Sequence, residues 1–241
     1  MSWLELGRGV FARRDPDELD LTTGLVLGAE RALVIDTDRD LARGAALAAA
    51  VREVTALPVT VVLTHGHFDH CFGTTAFLPC PVLAHPGCRA FLERSEQTTR
   101  WAPEFPSIAE VDPVVPTTAP GLVDLGGRLV RLLPQAPAHT DHDLAVHVPD
   151  ADVLFAGDLV ENGTPDYEDA HPLTWADAVA GLPRAGTVVP GHGDPLGAAE
   201  VVAQQAELAE VAGLARAVAA GEIDRAEADA RSPHPGVPWT S

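Results

Sequence analysis

The sequence predicts an α/β fold in which two sheets lie between helices. Three observations carry that expectation: short β-branched apolar runs, amphipathic helical stretches between them, and the same alternation repeated in the second half of the chain. In the first half, strands are expected near residues 9–13, 22–27, 31–36, 59–64 and 81–84, with a helix at about 40–54. The helix rests on Leu41, Ala45, Leu47, Ala48 and Val51 at helical spacing, with Asp40 available as its N-cap. In the second half, strands fall near 122–125, 128–133, 144–148, 153–157 and 187–189, with helices near 173–182 and 197–219. The run at 59–64 is apolar on both alternations, which marks a strand buried on both faces.

At 241 residues and 46% hydrophobic content the chain can build one large layered core. No Pro/Gly/Ser-rich linker, low-complexity tract or charge block divides it, so a single domain over 1–241 is the economical reading.

The strongest chemical signal follows the 59–64 run. His65, His67, Asp69 and His70 place four metal-binding side chains within six residues. In extended chain, His65 and His67 point to the same side and reach one ion; a helix starting after them would carry Asp69 and His70 toward a second. Further ligand types recur beside later strands. His139 precedes the strand at 144–148, Asp158 ends the run at 153–157, and His192 stands between glycines after 187–189.

With these motifs the sequence resembles the metallo-β-lactamase superfamily of binuclear metallohydrolases. The resemblance rests on the cluster at 64–70, Ala-His-Thr at 138–140, Phe-Ala-Gly-Asp at 155–158 and Pro-Gly-His-Gly at 190–193, in the family's order, and it covers about residues 5–215. It implies an αβ/βα four-layer sandwich of two mixed β-sheets flanked by helices. It also implies one metal site of His65, His67 and His139, a second of Asp69, His70 and His192, and Asp158 bridging two ions. The cofactors so implied are two zinc ions per chain, with iron or manganese as substitutes. Two such ions share a water and supply hydroxide to attack a carbonyl, with Asp69 orienting the nucleophile and handling its proton. The expected activity is hydrolysis of a small-molecule ester, lactone, thioester or amide. The alternative is a mononuclear iron oxygenase of the persulfide dioxygenase type, using His65, His139 and Asp158; a non-catalytic family member is a third reading.

Asp158 narrows the choice, because the β-lactamases proper usually carry Cys or Ser there, whereas lactonases, thioesterases and glyoxalase II-like enzymes carry Asp. The tail at 221–241 is too short and too acidic for a glutathione-binding domain of the glyoxalase II kind. After His139 the chain reads Thr140-Asp141-His142-Asp143 in place of the common Thr-Pro-Gly, so His142 either lines the site or faces solvent. His85, His147, His171 and His234 are weaker candidates, His171 the best of them. Two segments are candidate pocket walls. Residues 161–171 carry Glu161, Asp166, Tyr167, Glu168 and Asp169, and residues 94–108 carry Arg100, Trp101 and Phe105.

Sixteen basic residues, all arginine, against 35 acidic ones give a formal charge of −19. That balance argues against nucleic-acid or anionic-membrane partners and leaves a small molecule as the expected partner. Cys71, Cys80 and Cys88 are too few and unevenly spaced for a disulfide framework. The N-terminal residues lack the pattern of a signal peptide and no apolar stretch spans a bilayer, so the expected location is the cytoplasm.

Overall fold

The computed structural model describes residues 2–239. Its first sheet has seven strands in sequence order: β1 (Leu4–Gly7), β2 (Val10–Arg14), β3 (Thr22–Leu27), β4 (Ala32–Ile35), β5 (Val59–Val62), β6 (Val82–Ala84) and β7 (Thr117–Thr118). Pairing is antiparallel from β1 to β4 and parallel from β4 to β7. The second sheet holds β8 (Leu122–Asp124), β9 (Leu129–Pro134), β10 (Leu144–Val148), β11 (Val153–Gly157) and β12 (Thr187–Pro190), in the spatial order β12-β11-β10-β9-β8. There β11 and β12 are parallel and the other pairs antiparallel, so both sheets are mixed.

Burial on two faces explains why the central strands β4, β5, β10 and β11 read as near-continuous apolar runs. Leu33, Ile35 and Val62 of the first sheet meet Val146, Val153 and Phe155 of the second in a core between the sheets. Their neighbours Val34 and Val61 point the other way, onto Leu47 and Val51 of α1 (Leu41–Val54). On the far side, Leu154 and Val188 pack under α5 (Pro172–Ala180) and α6 (Ala198–Ala219) through Trp175, Val179, Leu208 and Val211. The result is four layers: helices, sheet, sheet, helices. Each buried Leu or Val contributes about 1.5–3 kcal/mol by leaving water.

α1 starts where expected: the Asp40 side chain accepts from Arg43 N at 2.8 Å. Its close approach to the 3-10 segment Phe72–Phe77 requires glycine, since a Cβ on Gly44 would sit 2.6 Å from Gly73 Cα. The expected strand at 59–64 ends at Val62, because Thr64 N and Oγ1 turn to Asp36. Short elements lay beyond periodicity: β1, β7, α2 (Phe68–Cys71), α3 (Pro86–Leu92), α4 (Gln97–Trp101) and α7 (Arg225–Arg231). Stretches of two to seven residues are too short to show a repeating face. No helix among the described residues is long and apolar enough to cross a membrane.

Candidate metal centre

The turns that follow β5, β9, β11 and β12 bring together all seven residues singled out in the sequence. His65, His67, His139 and Asp158 offer ligand atoms within 4.8 Å of one another, and Asp69, His70 and His192 form a second such group. His65 lies in the bend after β5 and His67 in extended backbone just before α2, while that single helical turn carries Asp69 and His70 to the other group. Asp158 stands at the junction. Its Oδ1 is 3.3 Å from His70 Nε2, and its Oδ2 lies 3.4, 3.5 and 3.6 Å from Nε2 of His192, His139 and His65. Gly191 makes this fit possible, because a Cβ there would collide with Asp158 Oδ1.

Outer partners fix which ring nitrogens face inward. His192 Nδ1 donates to the Leu19 carbonyl at 2.6 Å, and His70 Nδ1 donates to Asp36 Oδ2 at 2.9 Å. Their Nε2 atoms then confront each other at 3.3 Å, an arrangement that neutral rings hold only with a positive charge between them. Thr64 Oγ1 donates to Asp36 and so accepts from His65 Nδ1 at 3.1 Å. His65 Nε2 is therefore a bare lone pair, buried and without a hydrogen-bond partner, as is Asp158 Oδ1. His67 Nε2 donates to Asp169 at 3.3 Å, which turns Nδ1 toward His139 Nε2 at 3.2 Å. Tautomers set by carbonyls and carboxylates in this way are how proteins orient metal-binding imidazoles. The donor set, nitrogen with carboxylate oxygen, suits zinc and its neighbours in the first transition row.

The charge balance agrees. Burial, helped by His70, holds His65 well below the ordinary histidine range, and burial takes His139 down to about 4. Burial also opposes the charged forms of His70 and His192, but Asp158 and the other carboxylates outweigh it. His192 rises to about 10 and His70 well above its ordinary range. Burial likewise works against the Asp158 carboxylate, yet His70, His192 and His65 hold it well below the usual range. Among these atoms positive charge is in demand, and protons and cations compete for the same lone pairs.

A cavity of about 600 Å³ opens onto His67, Asp69, Asp158 and His192. Its walls come from both segments marked in the sequence. α4 contributes Arg100 and Trp101, and residues 161–169 contribute Glu161, Asp166, Glu168 and Asp169. Arg100 pairs with Glu168 across the mouth. The chain also matches the metallo-beta-lactamase superfamily over residues 19–192. The chain belongs to that superfamily.

The superfamily fold is shared with solved structures of low identity. A metallo-beta-lactamase from Pontibacter korlensis superposes with a TM-score of 0.70 at 21% identity, covering 86% of this chain and 98% of that one. The metallo-beta-lactamase FIM-1 from Pseudomonas aeruginosa, in its mono-zinc form, gives 0.66 at 20% identity, covering 87% and 94%. A curated relative, the acyl-coenzyme A thioesterase MBLAC2 of Bos taurus, is 28% identical over 165 residues, 58% of this chain and 58% of that protein. The chain thus spans little more than half the length of that relative. Superfamily membership and the two His/Asp groups together give the chain a site suited to divalent metal.

Other candidates take structural places in this superfamily member. His142 neither lines the cavity nor faces solvent. It lies buried beneath the cluster, accepting from Gly66 N at 3.1 Å, bonding Asp141 at 2.6 Å and stacking on Phe91 with ring centres 4.4 Å apart. Tyr167 points into the core against Trp175, and His171 is an exposed residue opening α5. Cys71 is buried and donates to the Gly66 carbonyl at 3.4 Å, consistent with packing. Sequence reasoning did not find Asp36, Gln97, the pairing of Asp169, or the burial of Glu161. Asp36 had a signal, since it ends the apolar β4 run as Asp158 ends β11. Gln97 had none: it accepts from Phe68 N at 2.8 Å and donates to Gly66 O at 2.9 Å across 29 and 31 residues of chain.

Proposed function

We propose that the chain hydrolyses a small-molecule carbonyl compound, an ester, thioester, lactone or amide, with two divalent ions, zinc foremost. His65, His67 and His139 would hold one ion, Asp69, His70 and His192 the other, and Asp158 would serve both. Ions bound there would lower the pKa of a water toward about 7 and polarise a carbonyl oxygen. The chain's own residues do the rest. Asp69 Oδ2 lies 3.4 Å from His192 Nε2 on the cavity floor, where it can orient the attacking water and take its proton. Phe68, Phe91 and Trp101 wall the cavity and exclude bulk water from the reacting carbonyl. Thioester hydrolysis is favoured within this class by the activity named for the bovine relative.

The observation that carries the proposal is the inward-facing Nε2 pair of His70 and His192, with both outer nitrogens already engaged. The test is elemental analysis of untagged protein purified without added metal, followed by a panel of esters, thioesters and lactones. About two zinc ions per chain are expected. Asp158→Ala should weaken metal retention and turnover together, each by more than about 100-fold. About one iron per chain, with oxygen consumed in the presence of thiol substrates, would instead establish the oxygenase reading.

A further inference from the structure

The cavity over the ligand groups carries a one-sided charge. Glu96, Glu104, Glu161 and Asp166 all line it, and none of them forms an ion pair among the described residues. Arg100, the one arginine lining it, is already engaged by Glu168. No lysine exists anywhere in the chain to offset them.

Glu161 is the member that points to a ligand. It is only 8% exposed, three positions past Asp158 on the cavity wall, yet its carboxylate makes no hydrogen bond or ion pair among the described residues. Its main chain is held by Gln204, which accepts from Glu161 N at 2.9 Å and donates to Glu161 O at 3.1 Å. It belongs to neither ligand group. Burial and the neighbouring Asp158 push the Glu161 carboxyl well above its ordinary range, as befits a buried acid lacking a partner, and the cavity is where a cation that favours its charged form can enter.

Part of the cavity wall is aromatic. Phe68 lies 5.6 Å from Trp101 and 5.3 Å from Phe105, ring centre to ring centre. The Trp101 face already carries the Arg100 guanidinium at 5.2 Å, and the Phe105 face carries Arg39 at 5.3 Å. Carboxylates and aromatic rings lining one cavity form a recognition surface for an organic cation.

We infer that this cavity selects carbonyl substrates bearing an ammonium group a few bonds from the reacting carbonyl, with Glu161 as the main specificity determinant. The inference rests on the hydrolase reading. Glu161 supplies the counter-charge, the aromatic wall takes the alkyl groups around the nitrogen, and unpaired Glu96, Glu104 and Asp166 draw the cation inward. A polyanion meets the opposite field. Coenzyme A thioesters, with their several phosphate charges, should therefore be poor substrates here.

The experiment uses zinc-loaded protein and three thioesters of acetate: S-acetylthiocholine, its uncharged isostere S-acetyl-3,3-dimethylbutanethiol, and S-acetyl-3-mercaptopropionate. Each kcat/KM is divided by the rate of alkaline hydrolysis to remove intrinsic reactivity. The expected order is cation, neutral, anion, with about a tenfold or larger span that Glu161→Gln and added salt both narrow. Equal rates, the reverse order, or a span unchanged in Glu161→Gln would overturn the inference. Should Glu161→Gln fail to fold, Glu104→Gln on the exposed rim is the substitute, with a smaller narrowing expected and an unchanged span counting against it. If no thioester is turned over, the hydrolase reading fails separately. Calorimetric titration with choline and with 3,3-dimethylbutanol then decides charge selection. Tighter choline binding supports it, and equal or weaker choline binding overturns it.

Discussion

The floor of the cavity and its walls are built on opposite principles. On the floor, His65, His70 and His139 are almost fully buried, and His65 and His70 are further fixed by a bond to their outer nitrogen. On the walls, Arg100, Glu104 and Asp166 are exposed, and what joins one wall to the other is the pair of Arg100 with Glu168. The difference assigns separate tasks. Chemistry that depends on ångström-level geometry sits where packing and hydrogen bonds determine it, whereas selectivity by charge needs only the sign and rough position of a group. Substitutions should therefore be felt sharply on the floor and softly on the walls.

The largest effect expected from a residue that touches no ion is at Asp36. One oxygen accepts from Thr64 N and the other from Thr64 Oγ1 and His70 Nδ1, so this carboxylate orients His65 and His70 together. Its left-handed backbone, φ 61°, is tolerated by Asn. Asp36→Asn keeps shape and conformation but places an NH₂ against at least one donor. Zinc affinity, read by competition with a chromogenic chelator, should fall by about 10–100-fold. Wild-type affinity in that variant would mean the floor is as tolerant as the walls and would dissolve the comparison.

How much of each region was legible in the sequence follows from the same contrast. The strands and the seven ligand-type residues were readable because buried strands leave apolar runs and metal-binding side chains recur at their ends. Asp40 as the cap of α1 was readable for a similarly local reason. The supporting contacts were not. Leu19 O to His192, Asp36 to His70 and Asp169 to His67 link residues 173, 34 and 102 positions apart, and no local pattern encodes them. On the walls, the segments were correctly marked by their charge and aromatic content, but side-chain direction was invisible. Tyr167 and Asp166 are adjacent, yet one enters the core and the other lines the cavity. His142 was misplaced for the same reason, because only the fold shows that Gly66 N lies above it.

A second test concerns the loop under the floor, where burial acts against a charge with no metal role. Asp38 is 5% exposed, and burial pushes its carboxyl from an ordinary 3.8 up to about 6, although Arg39 N and the nearby arginines pull the other way. The folded chain thus holds this proton across a window in which the unfolded chain has already lost it. Stability from this group is present below pH 4, declines as pH rises toward 6, and stays reduced above that. Asp38→Asn preserves the acceptor for Arg39 N and suits the φ of 73°. Urea unfolding should show the variant more stable at pH 8 by about 2 kcal/mol, with the gain shrinking as pH approaches 4. A gain independent of pH would assign the effect to something other than the buried charge.

The smallest effect is expected where the walls meet. Arg100 has 58% of its side chain in solvent and Glu168 has 28%, so their attraction is screened and offset by the side-chain ordering it requires. Arg100→Ala should lower stability by less than about 1 kcal/mol, and zinc content should not change. The variant also leaves Glu168 unpaired beside Glu96, Glu104 and Asp166, adding net negative charge at the mouth. Cationic substrates should then gain slightly over neutral ones at low salt, and the gain should vanish as salt is raised. A loss of stability well beyond 1 kcal/mol, or a loss of zinc, would show that this pair braces the floor from above and that the division between a rigid floor and tolerant walls is drawn in the wrong place.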